Sequence, residues 1–68
     1  MSEALESIIS VYERYANKRA LEELRSHRQK LLIDLTKHVG SYDVTRPAGQ
    51  IRNELALIEA ALERLSSH

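Results

Sequence analysis

The chain has 68 residues, with 10 basic and 10 acidic side chains, two glycines, one proline and no cysteine. A chain this short buries only about 60% of the surface its unfolded form exposes, so a single domain spanning 1–68 is expected, stabilised by regular helices, by a partner or by both. The lack of cysteine excludes disulfides and thiolate metal sites. A zero formal net charge supplies no overall attraction to nucleic acid or an anionic membrane, and 43% hydrophobic residues are too many for an intrinsically disordered chain.

The first segment carries an apolar stripe of Leu5, Ile8, Ile9, Tyr12, Tyr15 and Ala16. On a straight helix at about 100° per residue this stripe centres roughly 140° from the apolar face of the segment that follows. Two readings are open. The helix breaks near Asn17, a suitable N-cap, and residues 1–16 form a third helix. Alternatively the helix runs on, because Lys18 to Glu23 contains no Gly or Pro, and its first half faces another molecule.

The central segment, about 18–39, is rich in strong helix formers. Leu21, Leu24, Arg28, Leu31, Leu35 and then His38 or Val39 recur at heptad spacing. Gly40 suits a left-handed C-cap, and Lys37 and His38 complement the helix dipole. Arg28 interrupts the seam. It is expected either to lay its aliphatic stem over the seam or to pair with a carboxylate, with Glu54 and Glu59 as candidates within the chain.

A loop of about four residues, 40–43, leads to the last helix, about 44–66, and a connection that short places the two helices side by side and antiparallel. Val44, Ala48, Ile51, Leu55, Ile58, Leu62 and Leu65 form the second seam. Asp43 is read as the N-cap, with Pro47 inside the first turn where its missing N–H removes no bond. A helix starting at Pro47 itself is the rival reading, and Gly49 weakens either first turn. The fold class is therefore all-α: an antiparallel helical hairpin with a core of Leu24, Leu31, Leu35, Ile51, Leu55, Ile58 and Leu62, plus an N-terminal helical segment.

The chemistry the residues offer is sparse. The two glycines stand apart, so they build no phosphate loop, there is no thiol nucleophile, and no serine sits on a nucleophile elbow. The chain is read as no enzyme, with no cofactor and no small-molecule substrate. Asp34 and His38 share a helix face, but two ligands hold no metal without a third. Arg14, Lys18, Arg19, Arg25 and Arg28 concentrate positive charge near Tyr12 and Tyr15. That cluster could follow a phosphate backbone, which makes a small nucleic-acid-binding or regulatory protein the alternative function. Glu13, Glu22 and Glu23 interrupt it, and Arg19 can pair with Glu23 along the helix.

The apolar residues left over after the hairpin core carry the main functional reading. A two-helix hairpin has one contact face and cannot also cover Leu32, Ile33, Leu57 and the N-terminal stripe. Either the first segment folds back over Leu32, Ile33 and Leu57, or the stripe is buried against another protein. Leu5, Ile8, Ile9, Tyr12 and Tyr15 are the expected partner-binding residues. The expected function is a protein–protein interaction module, as an oligomer subunit, adaptor or co-chaperone. No apolar run approaches the roughly 20 residues of a membrane span. The acidic opening (Glu3, Glu6) does not read as a secretory signal. A cytoplasmic location, in a bacterium or an infected cell, or a place in a virion is expected. In size and helix layout the chain is similar to two groups: the helical-hairpin co-chaperones of type III secretion needle subunits, and the short accessory and virion proteins of bacteriophages. The first resemblance implies a larger helical chaperone as partner.

Overall fold

A computed structural model describes residues 3–37 and 45–66, which form three helices: α1 (Glu3–Arg14), α2 (Lys18–Lys37) and α3 (Thr45–Ser66). Among the described residues there is no strand, and only residues 15–17 lie outside a helix. The chain is thus a small three-helix bundle. Of the two readings of the N-terminal segment, the structure takes the one with a break.

The break is a Schellman turn without glycine. Asn17 N–H donates to the Tyr12 carbonyl at 2.8 Å and Ala16 N–H to the Glu13 carbonyl at 3.0 Å. This pair of bonds satisfies the orphan carbonyls at the end of α1. It needs a left-handed residue between them, and Ala16 supplies it with φ 53°. Asn17 then starts the next helix: its Oδ1 accepts from Ala20 N–H at 3.2 Å, the N-cap bond expected of it. One residue therefore completes the end of α1 and caps the start of α2.

In α1, acidic Glu3 and Glu6 in the first turn and basic Arg14 in the last oppose the helix dipole. In α3 the helix already includes Thr45 and Arg46, so it does not begin at Pro47. The expected cap Asp43, the seam residues His38, Val39 and Val44 and the cap Gly40 lie outside the described residues.

The core is a cluster of Leu5 and Ile9 from α1, Leu21 from α2, and Ile58, Ala61 and Leu62 from α3, with Tyr12, Leu24, Leu57 and Leu65 packed around it. Leu21 and Ile58 are wholly buried. Burying a Leu or Ile side chain completely contributes about 1.5–3 kcal/mol, so these contacts dominate the stability of so small a chain. Of the expected core, Ile58 and Leu62 are buried, while Leu24, Leu35, Ile51 and Leu55 are half-buried. Leu31 is a correction, since it stays 42% exposed.

The reason is the reach of α1. Its 12 residues span about 18 Å against about 30 Å for α2. Glu13 meets Arg64, and Glu6, one heptad earlier, shares a recess with Leu57, one heptad before Arg64. So α1 runs alongside the C-terminal half of α3 and in the same direction. It covers Leu57 but not Ile33, which remains 57% exposed. The expectation that a folded-back segment covers Ile33 is not met.

Candidate interaction surface

The site is built on α1, whose apolar residues occupy two adjoining stripes. Leu5, Ile9 and Tyr12 recur at spacings of four and three and face the core, with Leu5 and Ile9 only 5% and 6% exposed. Ala4, Ile8, Val11 and Tyr15 recur at four, three and four, and all are exposed. At about 100° per residue the two stripes centre roughly 100° apart, so the bundle buries one and leaves the other on its flank. Tyr15 N–H still donates to the Val11 carbonyl at 3.1 Å, so the outer stripe keeps its helical register to the turn. Ser7, Ile8, Val11 and Tyr12 line a shallow apolar depression along it.

The helix that carries the stripe is fixed at both ends. At its C-terminal end Arg64 grips Glu13 through two hydrogen bonds, Nε to Oε2 at 2.6 Å and Nη2 to Oε1 at 2.8 Å. This is the fork geometry that suits guanidinium and carboxylate. The hydrogen bond to Glu13 raises the Arg64 pKa, reinforced by the charge of Glu13 and opposed by partial desolvation. At the other end Leu5 is sunk in the core.

The five expected partner-binding residues are therefore divided. Leu5 and Ile9 are spent within the chain, Tyr12 is half-buried between the stripes, and Ile8 and Tyr15 are 43% and 75% exposed. Val11, 48% exposed, belongs to the surface and was not among them. Its signal, with that of Ala4, is the four-three-four spacing through Ile8 and Tyr15, which a single broad stripe conceals.

The basic residues do not share one face. Arg14, Lys18 and Arg19 are exposed around the α1–α2 turn, and Arg19 pairs with Glu23 at 3.6 Å as the spacing predicts. Arg25 and Arg28 are half-buried and bury their Nε atoms against the bundle. Arg28 pairs with Glu54 of α3 at 3.7 Å, one of the two carboxylates expected for it. Both side chains thus lie partly against the bundle, and Arg28 is engaged with a carboxylate there.

Among the described residues no group of three or more His, Cys, Asp and Glu side chains converges as a metal site, and His38 lies outside them. No described helix is long and apolar enough to cross a membrane. Comparison of the chain with protein-family models, with curated proteins and with solved structures returned no match.

Proposed function

We propose that the chain is a protein–protein association module, a subunit or adaptor that docks through the outer face of α1. In this reading α2 and α3 form an antiparallel hairpin that serves as the scaffold. Two contacts support the hairpin: Leu21 packs with Ile58, Ala61 and Leu62, and Arg28, seven residues later, meets Glu54, earlier in α3. The observation that carries the function is the outer stripe itself. Ile8, Val11 and Tyr15 are large apolar side chains held in helical register on a helix already anchored by Leu5, Ile9 and the Glu13–Arg64 pair. Exposed apolar side chains in a continuous seam, on a backbone already ordered as helix, are the ordinary make-up of a helix-packing interface. Tyrosine at the end of such a seam adds contact area with a polar tip.

The test is a variant with Ile8→Ser, Val11→Ser and Tyr15→Ser. Circular dichroism is expected to show wild-type helix content, because none of the three is core. Association, measured by cross-linking with the chain's own copies and with proteins of its native host, is expected to disappear. Loss of the helical fold, or association equal to that of the wild type, overturns the reading.

A further inference from the structure

We infer that the outer stripe of α1 is complementary to itself, and that its occupant is a second copy of this chain with the two α1 helices packed antiparallel about a two-fold axis. The inference rests on the docking reading above and names its partner. Three features carry it.

The first is size. An antiparallel alignment centred between Ile8 and Val11 sets Ile8 against Val11 of the second copy, and Ala4 against Tyr15. A small residue then faces the largest one at each end of the seam, and two medium residues meet in the middle. The parallel in-register alignment stacks Tyr15 on Tyr15 and leaves a gap at Ala4.

The second is charge. Acidic residues occupy the first turn of α1, and Arg14 occupies the last. Glu3 and Arg14 project on the same flank of the outer stripe, within roughly 20° of each other by helical geometry. In an antiparallel pair like flanks face each other, so Glu3 of one copy comes within about two residues of rise, roughly 3 Å, of Arg14 of the other. The two-fold axis makes this contact twice. A parallel pair sets Glu3 beside Glu3 and Arg14 beside Arg14.

The third is the helix dipole, whose ends are opposed favourably only in the antiparallel pair. A 12-residue helix gives a contact smaller than the roughly 800 Å² per partner of a standard interface. A contact of that size belongs with the weak, transient interfaces.

Sedimentation equilibrium of the full chain between about 10 µM and 1 mM tests this, with circular dichroism to check the fold of every variant. The wild type is expected to show a monomer–dimer equilibrium. Glu3→Arg and Arg14→Glu should each weaken it about three- to tenfold, since each turns two attractions into repulsions. An equimolar mixture of the two variants should recover wild-type affinity, because the heterodimer restores both oppositely charged pairs. A wild type monomeric to 1 mM, or a mixture no tighter than its components, overturns the antiparallel dimer. The docking reading fails separately. If the wild type is monomeric but cross-links to another protein that the triple serine variant does not engage, only the dimer falls; if the two chains behave alike towards every protein, both fall.

Discussion

Arg28 of α2 lies 3.7 Å from Glu54 of α3, Nε to Oε1, with only 20% and 16% of the two side chains exposed. The Arg28 Nε is buried and makes no hydrogen bond, so the pair is held by charge without the geometry that makes buried pairs strong. Desolvation of two ions then offsets most of their attraction. Glu54→Gln should lower stability by about 1–2 kcal/mol, because it strands a half-buried guanidinium. Replacing both partners, Arg28→Met with Glu54→Leu, should leave stability equal to the wild type or raise it. Urea unfolding followed by circular dichroism measures both. A double variant less stable than Glu54→Gln would show the pair to be a net source of stability.

Ala16 and Gly49 occupy each other's preferred settings. Ala16 holds φ 53° in the turn, a conformation that costs a side-chain-bearing residue about 1 kcal/mol and glycine little. Gly49 sits within α3, where an added Cβ would meet nothing within 4 Å. Ala16→Gly and Gly49→Ala should therefore each stabilise the chain, by about 0.5–1 kcal/mol. In a domain of this size that is about 2–8 °C in Tm for each. Asn17→Ala, which removes the cap bond to Ala20, should cost about 1 kcal/mol. Thermal melts of the three variants check the signs. A lower Tm for Ala16→Gly would mean that the left-handed turn is not the native conformation there.

That turn also explains why the N-terminal segment left two readings open. Glycine is the usual mark of a Schellman turn, and here alanine fills the position, so local propensity argued for an unbroken helix. Asn17 was the one legible sign of the break. The seams of α2 and α3 were plain because heptad spacing survives any choice of partner, and Ile58 and Leu62 lie where it put them. The exposure of Leu31 and Ile33 was not legible, since it depends on how far α1 reaches along α2. The exposed face of α1 is legible in part. The sequence marks Ile8 and Tyr15 as apolar but does not separate them from Leu5 and Ile9, because the two stripes adjoin around the helix and only packing shows where one ends.

The Glu13–Arg64 pair is half open to water, with 56% of the Arg64 side chain exposed and 27% of Glu13. Its contribution is therefore screened by salt. Arg64 has its pKa raised by the hydrogen bond to Glu13. A group whose folded pKa is raised contributes stability that is fully present below its unfolded pKa and lost only as pH climbs through the folded one. For a guanidinium that window is strongly alkaline, so ionisation of Arg64 should cause no change in stability between about pH 6 and 10. The expected result is a small drop in Tm for Arg64→Ala in low salt, constant across that pH range and reduced in about 1 M sodium chloride. A deficit that varies across that pH range, or is the same in high salt, would contradict a screened surface pair.

The burial of Leu5 and Ile9 makes α1 part of the folding unit and not an appendage of α2 and α3. Deleting residues 1–16 uncovers Leu21, Ile58, Ala61 and Leu62 at one end of the bundle, removes Tyr12, and takes Glu13 from Arg64. Loss of two buried aliphatic side chains alone costs about 3–6 kcal/mol by transfer of their surface to water. That is comparable with the whole stability expected of a domain this small. The truncated chain should therefore lose its cooperative thermal transition and most of its helical ellipticity at 25 °C. The milder pair Leu5→Ala and Ile9→Ala should lower Tm steeply while the transition stays cooperative. Truncation that left a cooperative melt at the wild-type temperature would mean that α2 and α3 fold by themselves and that α1 only rests on them. Its outer stripe would then no longer be a pre-ordered surface.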